Sequence, residues 1–125
     1  MNRFKNVIIL IVILLTSISC AQQDQSNSIT MDQFKEQLKS DKNMILLDVR
    51  TPEELAGPLG KIETAINIPL QVLEQRISEL EKFKDKEIIV ICRTQNRSAV
   101  AVNILNKNGY KAKNVLGGMT EFRKN

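Results

Sequence analysis

The clearest hydrophobic pattern in the chain is Ile88-Ile89-Val90-Ile91, four β-branched apolar residues in a row. An unbroken run of that kind predicts a strand buried on both faces. Cys92 follows directly, then a polar loop, Arg93-Thr94-Gln95-Asn96-Arg97-Ser98. Small and branched apolar residues from Ala99 to Leu105 recur at a helical rhythm, predicting a helix from Arg97 to near Asn108 with Gly109 as its stop. Upstream, Thr30 and Gln33 form a capping-box pattern, and Met31, Phe34 and Leu38 share one face of a helix through Lys39. Met44 to Val49 predicts a second buried strand. Thr51-Pro52-Glu53-Glu54 predicts a short capped helix with proline at its first position. Ala65 to Ile68 reads as a short strand, and Leu73, Ile77 and Leu80 place an apolar stripe on one helix running to about Phe83. Val115-Leu116 predicts a last short strand before the Gly117-Gly118 turn, with a closing helical turn from Met119 to Arg123. Strands and helices alternate throughout, so the expected fold class is α/β, a mainly parallel central sheet flanked by helices.

The amino terminus has a different character. Arg3 and Lys5 precede an apolar run from Val7 to Leu15, closed by Thr16-Ser17-Ile18-Ser19-Cys20. That layout predicts an export signal over residues 1–19, since nine strongly apolar residues fall short of the roughly 20 that a spanning helix needs. The cysteine after small residues resembles the lipobox of bacterial lipoproteins, which implies lipidation of Cys20 and anchoring of the chain in the cell envelope, facing the periplasm or exterior. Residues 20–28 then read as a polar tether and 29–125 as one domain.

Charge and composition narrow the chemistry. The chain of 125 residues has 18 Lys and Arg against 14 Asp and Glu. Without Arg3 and Lys5 the balance is only +2, which argues against a nucleic-acid binder, a class that normally shows a clustered basic face. There is no histidine, which excludes a Cys–His dyad and argues against a zinc hydrolase. With Cys20 lipidated, Cys92 has no cysteine left to pair with. A strand-to-helix junction aims backbone N–H groups and a helix N-terminus at the loop, and with Arg93 and Arg97 it suits a thiolate at Cys92. Attack on a sulfur atom needs such a thiolate and no dedicated proton shuttle.

Five separated pieces, Asp48-Val49-Arg50-Thr51-Pro52-Glu53-Glu54, Gly60-Lys61-Ile62, Ala65-Ile66-Asn67-Ile68-Pro69, Cys92 to Ser98, and Gly117-Gly118-Met119, resemble a single-domain rhodanese in order and spacing. The resemblance implies sulfurtransferase chemistry without a cofactor or metal. Cys92 would take a sulfane sulfur from a small anion such as thiosulfate, hold it as a persulfide, and pass it to a thiol or cyanide. The C-x4-R spacing from Cys92 to Arg97 resembles the sulfur-handling branch rather than the C-x5-R loop of related phosphatases and arsenate reductases. In this reading Arg93 attracts the anionic donor, and Thr94, Gln95 and Asn96 act through their amides. Ser98 hydrogen-bonds beside the sulfur or caps the helix. Arg97 braces the loop or pairs with an acid such as Asp48, and Asp48 with Arg50 forms an ion pair that fixes neighbouring loops. Gln95 stands where the family commonly has glycine, so the backbone there either avoids positive φ or is strained. Lys61 replaces a usual histidine. A second class, an anchored binding module that keeps the cradle without turnover, stays open on the sequence.

Overall fold

A computed structural model of the protein describes residues 27–124. The export signal, Cys20 and most of the tether lie outside the described residues. Five strands form one wholly parallel sheet: β1 (Ser28–Ile29), β2 (Ile45–Asp48), β3 (Ile66–Asn67), β4 (Glu87–Ile91) and β5 (Lys111–Val115), in the order β1-β5-β4-β2-β3. Ser28, expected in the tether, pairs with Asn114 in the edge strand β1.

The double burial of β4 follows from its central position. Ile88, Val90 and Cys92 point into one apolar cluster with Ala101, Val102 and Leu105, while Ile89 and Ile91 point into the other with Phe34, Val115 and Met119. Helix α4 (Asn96–Lys107) covers the first face. Helices α1 (Met31–Ser40) and α5 (Gly118–Phe122) cover the second, and the rings of Phe34 and Phe122 join them edge-on at 5.7 Å. The predicted cap of α1 is present in full: Thr30 Oγ1 accepts from the Gln33 amide at 3.2 Å and Gln33 Oε1 accepts from the Thr30 amide at 2.9 Å. Helix α2 (Pro52–Leu55) carries the same reciprocal cap between Thr51 and Glu54.

Two expectations need correction. The stripe from Leu73 to Phe83 is not one helix: only α3 (Leu73–Arg76) is α-helical, with 3₁₀ turns at Leu70–Val72 and Ile77–Phe83. Leu73 and Leu80 are buried as the stripe requires. However, the Ile77 carbonyl, which a continuing α-helix would bond to the Glu81 amide, accepts from the Tyr110 hydroxyl at 3.0 Å. The last strand begins at Lys111 rather than Val115, because pairing with β4 from Glu87↔Lys111 to Val90↔Asn114 fixes a polar segment as β5.

Candidate active site

Cys92 directly follows β4, and α4 starts four residues later. The intervening loop is held from below by the carboxy-terminal segment. The Met119 amide donates to the Cys92 carbonyl and the Thr120 amide to the Arg93 carbonyl, both at 2.9 Å, and the Gly117 amide donates to Gln95 Oε1 at 3.1 Å. Gly118, at φ +55°, lies flat against the loop; a Cβ there would come within 2.5 Å of the Cys92 carbonyl oxygen. This is why glycine opens α5: Gly118 must bring its backbone against another backbone. Gln95 resolves the question left by its position. Its φ is −156°, and no residue other than glycine has positive φ among the described residues.

Facing outward, the loop presents unpaired donors. None of the six backbone N–H groups from Arg93 to Ser98 has a protein acceptor among the described residues. The loop amides and the first turn of α4 therefore leave a run of six donors in the segment that follows Cys92, an arrangement that suits an anion or a charged sulfur. The Cys92 residue itself is 1% exposed.

Ser98 sits beside the thiol, as the sequence suggested. Its Oγ is 3.2 Å from Cys92 Sγ, and its hydroxyl donates to Asn114 Oδ1 at 2.6 Å. Asn114 in turn donates from Nδ2 to the Gln95 carbonyl at 3.2 Å. A neutral thiol can donate to the Ser98 oxygen, whereas a thiolate is met only if the hydroxyl hydrogen turns from Asn114 to sulfur. Sequence reasoning missed Asn114, whose burial comes from the pairing of β5 with β4 and β1.

Arg97 does not pair with Asp48. Its guanidinium makes a two-pronged bridge to Glu54, Nη1 to Oε2 at 2.7 Å and Nη2 to Oε1 at 2.6 Å, tying the end of the loop to α2. The fork of a guanidinium matches a carboxylate in this way. The Arg97 hydrogen bonds hold the Glu54 carboxyl down at about 2, burial opposing and the Thr51 amide assisting. Arg97 is pushed up in return, chiefly by the Glu54 hydrogen bond, with smaller contributions from the charges of Cys92 and Asp48.

Asp48 and Arg50 form the expected ion pair. Nη2 lies 2.8 Å from Oδ2, Nε reaches both carboxylate oxygens, and both side chains are 1% exposed. The remaining Arg50 Nη2 capacity goes to the Gly60 carbonyl at 2.8 Å, so the pair joins the exit of β2 to the Gly60 loop. Asn67, also unassigned by the sequence, donates to the carbonyls of Asp48 and Arg50 and locks the same corner. Arg93 is exposed and unpaired among the described residues. Thr94 and Asn96 are exposed beside it and contribute no side-chain bond to the site. Lys61 lies on the surface, 3.5 Å from Glu63.

Residues 30–125 match the model of the rhodanese-like domain. The chain belongs to the rhodanese-like family. A sulfurtransferase from Allochromatium vinosum is 32% identical over 94 residues, 74% of this chain and 84% of the relative. The Bacillus subtilis protein YtwF is 37% identical over 86 residues, 69% of this chain and 80% of its own. Among solved structures, a rhodanese-like domain protein from Staphylococcus aureus superposes with a TM-score of 0.67 at 37% identity, covering 77% of this chain and 90% of that one. The five-stranded parallel sheet flanked by helices is thus the rhodanese-like fold, and sulfur transfer is the chemistry that the likeness supports.

Proposed function

We propose that the protein is a sulfurtransferase in which Cys92 carries the sulfur. The Cys92 thiolate attacks the sulfane sulfur of a donor such as thiosulfate. The donor S–S bond breaks, sulfite leaves with the electron pair, and a persulfide remains on Cys92. A thiol or cyanide then takes the outer sulfur and returns the thiolate. The observation that carries this reading is the run of six N–H groups from Arg93 to Ser98, directly after Cys92, that lack a protein acceptor among the described residues. Donors fixed around a developing negative charge stabilise it without rearranging. Ser98 supplies a further hydroxyl at the sulfur, and Arg93 adds long-range attraction for the anionic donor.

The test is intact-mass measurement of the full chain after incubation with thiosulfate. The wild type should gain one sulfur atom and Cys92→Ser should gain none. The near-complete burial of Cys92 favours one competing reading, a non-catalytic binding module. No gain of sulfur in the wild type, with a protein partner still captured, would establish that reading instead. We also propose export and lipidation at Cys20, which places the domain in the cell envelope on a lipid anchor. Incorporation of a labelled fatty acid that persists in Cys20→Ala would refute it.

A further inference from the structure

The geometry points to an acceptor subsite beside the Cys92 loop, built for a zwitterionic low-molecular-weight thiol that carries both a carboxylate and an ammonium group. The inference rests on Cys92 as the sulfur carrier and names the class of molecule that takes the sulfur away. A cavity of about 420 Å³ is lined by Arg50, Glu53, Glu54, Pro58, Leu59 and Arg93. Its position is defined by both ends of the loop: Arg93 directly follows Cys92, and Glu54 is clamped to Arg97. The space is ample for an amino-acid-sized thiol. Thiosulfate and cyanide are far smaller.

The charges of the wall then select among larger thiols. Arg50 is neutralised by Asp48 and Glu54 by Arg97. Arg93 and Glu53 have no ion-pair partner among the described residues. The cavity therefore keeps one uncommitted cation and one uncommitted anion, with Pro58 and Leu59 supplying apolar wall between polar groups. A ligand with one carboxylate, one ammonium group and a short hydrocarbon frame complements that set; a purely anionic or purely neutral thiol satisfies only part of it.

The outer sulfur of a persulfide stands about 2 Å beyond Sγ, so it reaches further than the buried thiol itself. The acceptor thiolate attacks the outer sulfur, and the bond between that sulfur and Cys92 Sγ breaks. The electron pair stays on Sγ, and the acceptor departs as an organic persulfide. Sulfur and electrons balance without an added oxidant or reductant.

The experiment loads the full chain with thiosulfate, removes the donor, and measures discharge by cysteine, 3-mercaptopropionate, cysteamine and cyanide. Wild-type kcat/KM for cysteine should exceed that for 3-mercaptopropionate after each is corrected for its thiolate fraction. That ratio should fall about tenfold in Glu53→Gln, the scale of one lost charge contact. Glu53→Arg should shift selectivity from cysteamine toward 3-mercaptopropionate relative to the wild type, and Glu53 is exposed, so both variants should fold as the wild type does. Ratios unchanged in both variants, with a persulfide that cyanide still discharges, would overturn the subsite and leave the carrier intact. Absence of any persulfide would remove the carrier and the subsite together.

Discussion

Replacing Gly118 by alanine should damage the site more than the same change at any other glycine of this chain. A Cβ on Gly118 would stand 2.5 Å from the Cys92 carbonyl oxygen and 2.7 Å from the Arg93 carbonyl carbon, with the Thr94 carbonyl oxygen nearer still. Ordinary contact begins at 3.4 Å, and every one of these atoms is backbone, so no flexible side chain can yield. Relief requires the loop and α5 to separate by about 1 Å, which weakens the Met119 and Thr120 amide bonds to the Cys92 and Arg93 carbonyls. Overpacking of this kind costs about 1–3 kcal/mol, and the left-handed backbone at φ +55° adds about 1–2 kcal/mol for a residue with a Cβ. The expected loss of stability is therefore about 2–5 kcal/mol. A misplacement of about 1 Å at reacting groups costs on the order of 100-fold in rate. Gly109→Ala is the matched control, because Gly109 has φ +84° but its nearest neighbour would be Lys84 Cε at an unstrained 3.7 Å. Urea denaturation of both variants isolates the steric part, and the rate of persulfide formation, read below both transitions, isolates the displacement. If Gly118→Ala matches Gly109→Ala in stability and keeps a wild-type rate, the view that α5 positions the loop is wrong.

Three further outcomes follow from individual contacts. Arg50→Ala should cost about 3–5 kcal/mol in urea denaturation by leaving Asp48 buried without its partner, and the double variant Asp48→Ala/Arg50→Ala should cost less than the two single changes combined. Asn114→Ala removes the acceptor of the Ser98 hydroxyl and a donor to the Gln95 carbonyl. It should cost about 1–3 kcal/mol and slow persulfide formation, whereas Thr51→Ala, which loses a helix cap and a hydrogen bond to Glu54 Oε2, should cost about 1 kcal/mol with less effect on rate. Glu54 gives the pH dependence. Its carboxyl is lowered from 4.5 to about 2 in the fold, so the stabilisation it brings is complete above pH 4.5 and disappears as pH falls through about 2. With both partners half-exposed to solvent the effect is about 1 kcal/mol, read as a wild-type advantage over Glu54→Gln in urea midpoint that is full near neutrality and closes in acid.

The elements legible in the sequence were those whose causes are local. The β4 run carries its own burial, and both capping boxes lie within four consecutive residues. Asp48 and Arg50 are opposite charges two positions apart at a strand exit, so their pairing needed little tertiary information. The partner of Arg97 was another matter. Glu54 is 43 positions away, and with 14 acids in the chain only the folded topology, which brings α2 beside the start of α4, makes the choice. Asn114 was hidden for the same reason: β5 is a strand because β4 and β1 flank it, and its Lys-Ala-Lys-Asn sequence has too few apolar residues to announce one. Between Leu73 and Phe83 the spacing correctly marked Leu73 and Leu80 for burial, but a stripe at three- and four-residue intervals does not separate an α-helix from linked 3₁₀ turns.

The unpaired amides of the loop also constrain the resting state. A buried donor without an acceptor costs about 1–3 kcal/mol, so six of them enclosed in a dry core would exceed what a domain of this size can sustain. The loop resolves this by facing solvent from Arg93 to Asn96 while Cys92 stays covered. The donors of these four exposed residues are open to solvent, and an anion taking the place of solvent needs no rearrangement because the loop is shaped from outside itself. Its carbonyls at Cys92 and Arg93 are held by α5, its Gln95 side chain by Gly117 and its Arg97 end by α2. A cradle braced in this way owes its geometry to residues that never touch the sulfur. On this physical account, substitutions at Gly118 and Glu54 should alter sulfur handling even with every residue from Cys92 to Ser98 intact.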